Sequence, residues 1–142
     1  MVTVESAPGR VHGMTANSFA SVSLEPPLIS VCVAERAHLL SLIKKKRVFG
    51  INVLKEEQQR LSEFFAFADQ PENEEASLSV RFYWTSEAIP LMENVLCQIA
   101  CRLHAAHVAG DHTIVVGEVL SAWLYPGSPL LFFRGDYTRL VP

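Results

Sequence analysis

Residues 95–123 read VLCQIACRLHAAHVAGDHTIVVGEVLSAW, from Val95 to Trp123. In the first half the odd positions Val95, Cys97, Ile99, Cys101, Leu103 and Ala105 are apolar or small, while Gln98, Arg102 and His104 take even ones. A period of two marks a strand, whose successive side chains point to opposite faces. Gly110-Asp111 then supplies a turn, and Thr113–Trp123 returns as an apolar, β-branched run. The two halves are expected to pair as one long hairpin.

The same pattern extends upstream. Val2-Thr3-Val4 and Val11–Met14 flank Ala7-Pro8-Gly9-Arg10, where Pro and Gly supply the fixed and the permissive φ of a tight turn, so a hairpin opens the chain. Leu28–Ala34 follows Pro26-Pro27, which favours extended backbone, and reads as a strand. From Ala37 to Val48, the spacing of Leu39, Leu40, Leu42, Ile43 and Val48 predicts an amphipathic helix, followed by a strand over Phe49–Leu54. A second helix is expected over Lys55–Asp69, with Leu61, Phe64, Phe65 and Ala68 on one face and Pro71 forcing the chain out. Residues 70–79 are acidic and turn-rich and read as an exposed loop, and a last strand, Leu130–Arg134, precedes Gly135-Asp136-Tyr137. The tally is roughly seven strands and two helices. A mainly β chain with hairpins at both ends favours a closed or partly closed barrel that hides its edges.

The totals narrow the function classes. A chain of 142 residues, 49% hydrophobic and 19% charged, suits one domain spanning residues 1–142. Twelve Lys and Arg against fifteen Asp and Glu give a net charge of −3, so no basic surface announces nucleic acid as a partner. The densest basic run, Lys44-Lys45-Lys46-Arg47, closes the first helix, where cations complement the C-terminal end of the dipole. Of the three cysteines, Cys32, Cys97 and Cys101, the last two would lie about 13 Å apart on one strand, too far to bridge. With no signal peptide, and no apolar run near the roughly 20 residues that span a bilayer, the sequence points to a soluble protein of the reducing cytoplasm.

Conventional catalytic motifs are missing: there is no nucleophile elbow, no Gly-rich phosphate loop and no isolated carboxylate pair. His104 and His107, three apart on a strand, point to opposite faces, so no metal site is expected. What remains is the small-polar cluster Thr15-Ala16-Asn17-Ser18-Phe19-Ala20-Ser21-Val22-Ser23. It reads either as the lining for a polar heteroaromatic ligand, because Asn offers donor and acceptor together and Ser adapts to either, or as an Asx or Ser/Thr turn joining strands.

From this cluster onward the sequence resembles the flavin reductase-like, FMN-binding split-barrel family. Gly13-Met14-Thr15-Ala16-Asn17-Ser18-Phe19, with Ser21-Val22-Ser23-Leu24 and Pro26-Pro27-Leu28 after it, looks like the family's signature segment. Phe49-Gly50-Ile51-Asn52-Val53-Leu54 is similar to its F-x-x-N-V-L strand, and Ile89-Pro90-Leu91 followed by Cys101 to its P-L…C stretch. Gly110-Asp111-His112-Thr113-Ile114 with Gly117-Glu118-Val119 resembles the G-D-H-x-I…G-E-V hairpin, and Pro129–Tyr137 the P-L-x-Y/F-x-x-G-x-Y ending. The motifs keep their order across residues 11–140.

The resemblance implies a split β-barrel that forms homodimers and reduces FMN or FAD with NADH or NADPH, supplying reduced flavin to a partner monooxygenase. The cofactors carry the hydride chemistry, so no catalytic side chain is required. Thr15, Ala16, Asn17 and Ser18 are implied at the isoalloxazine edge, with Ser21 and Ser23 assisting, Cys32 and Val33 beside the ring or ribityl chain, and Asn52 in the same flavin set. Arg36, Ala37 and His38 precede or open a helix whose free N–H groups suit phosphate. His112 and Tyr137 are implied at the nicotinamide; on the residues alone, His112 reads equally as a turn histidine beside Asp111. The sequence departs from the family at Ala37, His38 and Leu39, where hydroxyl residues are usual, and it begins almost inside the first strand, which family members precede with a helix. A flavin-binding module without turnover, or a flavin-free structural domain, are the alternatives these departures leave.

Overall fold

The computed structural model of the chain describes residues 1–67 and 79–140. In chain order the elements are β1 (Val2–Ala7), β2 (Arg10–Met14), β3 (Phe19–Leu24), β4 (Pro27–Ala34), α1 (His38–Lys46) and β5 (Val48–Val53). A single 3-10 turn (Glu56–Gln58) leads into α2 (Gln59–Phe64). After residue 79 come β6 (Phe82–Trp84), β7 (Pro90–Met92), β8 (Cys97–Ala109), β9 (His112–Leu124), β10 (Leu131–Phe133) and β11 (Asp136–Thr138).

Seven strands form one sheet in the order β2-β1-β5-β8-β9-β4-β3. Its edge strands β2 and β3 are consecutive in the chain, and the link from Met14 to Phe19 reaches at most about 18 Å. A flat sheet of seven strands would hold its edges about 29 Å apart. The sheet is therefore curled into a barrel split between β2 and β3, with residues 15–18 crossing the split. β6–β7 and β10–β11 are separate two-stranded hairpins.

Packing explains the curl. The outward–inward alternation of β4 sends Ile29, Val31 and Val33 to the interior, where they meet Val4, Phe49 and Val115. α1 lays Leu39, Leu40, Leu42 and Ile43 on this cluster, each burial contributing about 1.5–3 kcal/mol. A second cluster of Leu54, Phe64, Phe65, Met92 and Val95 lies under α2.

Both helices are shorter than the sequence predicts. α1 ends at Lys46, and Arg47 adopts a left-handed φ of 65°. α2 stops at Phe64 because Phe65 leaves helical geometry, its carbonyl accepting from Thr15 N at 2.8 Å. Ala68 and Asp69 of the expected helix, and 70–78 of the expected loop, lie outside the described residues. Within β8, Ile99, Cys101 and Leu103 pack towards the core, but a register shift between Leu103 and Ala105 leaves His104 unpaired with β9 and reverses the phase, so that Ala106 faces Val115. Gln98, on an even position, is 2% exposed because β6–β7 and Tyr125 cover it. It is satisfied there by hydroxyls of Tyr83 (2.6 Å) and Tyr125 (2.9 Å) and by the Met92 carbonyl.

Candidate functional site

The residues that cross the split are fixed from behind. Thr15 donates its hydroxyl to the Ser62 carbonyl on α2 (2.7 Å), and its N–H to Phe65 O. Ser18 clips the other end: its Oγ donates to Cys32 O (3.1 Å) and accepts from Cys32 N (3.2 Å), continuing on β4 the ladder that β3 begins at Phe19. Between these anchors Ala16 packs on the core and Asn17 is exposed.

A cavity of about 360 Å³ opens beside this loop, towards the low end of small-molecule sites. Thr15, Ala16, Asn17 and Phe19 form one wall, and Leu131, Phe132 and Tyr137 of the C-terminal hairpin form the other. Tyr137 OH donates to Ser62 Oγ at 2.9 Å, and its ring meets Phe132 edge-on at 5.1 Å. The lining is largely apolar, with a few polar groups from Thr15, Asn17, Ser62 and Tyr137, which suits a flat heteroaromatic ring.

A second group gathers at the end of β4. Cys32 and Ala34 point outward opposite Ile114 and His112 of β9, while Val33 is fully buried in the core. The following turn is tied to the β8–β9 turn: Glu35 N donates to Asp111 O (2.9 Å), and Thr113 Oγ1 donates to the Glu35 carboxylate. Asp111 accepts from or pairs with His112 Nδ1 at 2.7 Å; that hydrogen bond, with a lesser contribution from Arg36, holds its carboxyl below the usual range. Ala37 caps α1 without any side-chain hydrogen bond, so the first-turn N–H groups are not consumed by a capping side chain. His38 opens that helix with its ring edge-on to His12 at 5.1 Å. Burial, and then the neighbouring His38, lower the pKa of His12.

The expected site residues thus fall into sets. Thr15, Ala16, Asn17 and Tyr137 share the cavity; Ser18 joins Cys32; and Arg36, Ala37, His38 and His112 cluster near the start of α1. Ser21 and Ser23 lie farther along β3, opposite Ile29 and Leu28. Two expectations need correction. The Val33 side chain is consumed by the core, leaving only its backbone near Cys32. Asn52 is 0% exposed: its amide donates to Thr3 Oγ1 (3.1 Å) and Met1 O (3.5 Å) and accepts from Met92 N (2.8 Å), so it bolts β1, β5 and β7 together. Sequence reasoning missed Ser62, Phe132 and Glu35. Ser62 carried a signal, as a lone hydroxyl between Leu61 and Phe64-Phe65 on an otherwise apolar face.

Comparison with known proteins places the chain in a family. A family profile described as "Flavin reductase like domain" matches residues 1–141. An NADH-dependent flavin reductase from a Rhodococcus species is 42% identical over 131 residues, covering 92% of this chain and 70% of the relative. The reductase component of 4-hydroxyphenylacetate 3-monooxygenase from Thermus thermophilus is 40% identical over 135 residues, covering 92% and 80%. Among solved structures, the NADH:FAD oxidoreductase of Streptomyces globisporus C-1027, in complex with NAD and FAD fragments, superposes with a TM-score of 0.87 at 34% identity, covering 99% of this chain and 83% of that one.

Proposed function

From the premise that this chain belongs to the flavin reductase-like domain family, we propose that it is an NADH-dependent flavin reductase whose reduced FAD or FMN is used by a separate monooxygenase component. The observation that carries the reading is the cavity at the barrel's split, bounded by Thr15, Asn17 and Tyr137. When bound, flavin supplies the hydride acceptor and the nicotinamide the donor, so the protein's task is to hold two rings in contact and keep water away.

Each residue has a part in that task. Thr15, tied to α2, fixes the loop, and Asn17 offers an amide whose donor and acceptor match the edge of a pyrimidine ring. Ser18 and Cys32 secure the strand end along which the ribityl chain runs. The first turn of α1, with Arg36 and His38, receives the phosphate. His112, oriented by Asp111, and Tyr137 flank the nicotinamide. The N-cap Ala37 and Leu39 offer no hydroxyl to phosphate, which favours a flavin that exchanges as a substrate over one held permanently. That is what delivery to a separate oxygenase requires.

The reading includes a homodimer. Val22 and Leu24 on edge strand β3, and Val108 at the tip of β8, are exposed apolar side chains that a second copy could cover. It also includes a cytoplasmic setting, where the free thiols Cys32, Cys97 and Cys101 stay reduced. No helix among the described residues is long and apolar enough to cross a membrane.

The test is loss of NADH absorbance on adding FAD or FMN to the purified protein. Oxidation that requires added flavin is expected. NADH left intact at saturating FAD and FMN would sink the reductase, and a stable yellow protein without turnover would favour a flavin-binding module.

A further inference from the structure

The C-terminal hairpin that walls the cavity is attached to the barrel mainly at its base. There Glu56 N donates to Ser128 O, Leu130 N donates to Leu54 O (both 3.0 Å), and Lys55 bridges to Pro129. Beyond the base, β10 and β11 pair with each other and not with the seven-stranded sheet. Among the described residues, two polar links return from β11 and the residue after it to the body. One is an exposed ion pair of Arg139 with Glu56 at 4.0 Å, a class of contact that contributes little. The other is the hydrogen bond from Tyr137 OH to Ser62 Oγ, at a serine that is 4% exposed.

Ser62 therefore serves both walls of the cavity with different atoms. Its carbonyl accepts from Thr15 on the loop side, and its hydroxyl accepts from Tyr137 on the hairpin side. We infer that Ser62 is a positioning residue that latches the β10–β11 hairpin through Tyr137 and thereby sets the width of the cavity for the nicotinamide ring. The kinetic part of this inference rests on the reductase reading; the latch itself does not. Because the two walls use separate atoms, Ser62→Ala removes the latch and leaves the Thr15 anchor in place.

The experiment has two arms. In the first, hydrogen–deuterium exchange of residues 130–138 is compared between parent, Ser62→Ala and Tyr137→Phe without any cofactor. Faster exchange of this hairpin in both variants, with that of β8 and β9 unchanged, is expected; unchanged exchange in both overturns the latch, whatever the enzyme does. In the second, each variant is expected to raise the KM for NADH about fivefold, equivalent to the roughly 1 kcal/mol of one neutral hydrogen bond, and in Ser62→Ala kcat and the flavin KM are expected to stay within about twofold. The double variant should be no worse than either single one, because both remove the same bond. Additive losses, or a NADH KM that does not move when the hairpin loosens, overturn the positioning role. Should the parent oxidise no NADH, the reductase reading falls while the exchange arm still decides the latch.

Discussion

Asn52→Ala separates two roles for one residue, because the amide that the family motif puts in the flavin set is consumed inside the barrel. In the parent its oxygen accepts from Met92 N at 2.8 Å, and its nitrogen donates to Thr3 Oγ1 and to Met1 O. Thr3 keeps its own donation to Pro90 O at 2.6 Å after the change, so the group left stranded is the buried Met92 N–H. An unsatisfied buried donor costs about 1–3 kcal/mol, and the void left by the carboxamide adds roughly 1 kcal/mol. The expected loss is therefore about 2–4 kcal/mol. At roughly 2–4 °C per kcal/mol for a chain of this size, the melting midpoint should fall by roughly 4–16 °C. The assay is thermal unfolding by circular dichroism at fixed protein concentration, with a flavin titration well below the transition. Flavin affinity should stay within about twofold of the parent. A tenfold loss of flavin affinity, about 1.4 kcal/mol, with an unchanged midpoint would refute the assignment of Asn52 to the frame.

Asn17→Ala should behave in the opposite way: its amide is exposed, so stability should hold while flavin affinity drops roughly threefold to tenfold, read by quenching of flavin fluorescence. Cys101 tests the core: burial pushes its thiol up from the ordinary 9.0 to about 12. A pKa raised on folding gives stability that is complete below the unfolded value and lost as pH climbs towards the folded one. Between about pH 9 and 12 this thiol should cost up to about 1.4 kcal/mol per pH unit, a slope absent from Cys101→Ala, measured by urea midpoints at about pH 8 and about pH 10.5.

The long β8–β9 hairpin was legible because β-branched and apolar residues alternate along it and Gly110-Asp111 breaks it. β3 was not, and the reason is physical. Ala20-Ser21-Val22-Ser23-Leu24 does alternate, but its hydroxyls read equally as a turn or a ligand lining, and as an exposed edge strand it leaves Val22 and Leu24 in solvent, so the alternation marks no buried face. β6, β7 and β11 have three residues each, less than two periods of any pattern. The end of α2 was misread because Phe65 fits the apolar helical face and is buried, yet its carbonyl is turned to Thr15. Helix length there is decided by a partner fifty residues upstream, which local periodicity cannot register.

The candidate site was legible as a set of residue types and not as a set of free groups. Asn17 and Asn52 offer identical amides, and both fall in family-like motifs. What separates them is that Met1, β1 and β7 engage both the nitrogen and the oxygen of the Asn52 amide, whereas among the described residues no strand covers Asn17. Thr15 lies between the two cases, since its donated proton and its backbone N–H are both spent on α2. The same pattern explains why the loop can be precise without being part of a sheet: its first residue is held at the end of α2 and its last by β4, so the exposed Asn17 side chain between them is presented from a fixed backbone. On the proposed reading, a loop pinned at both ends would give the Asn17 amide the small entropy loss on binding that a strand would provide, while leaving the barrel's split open for a ring to enter.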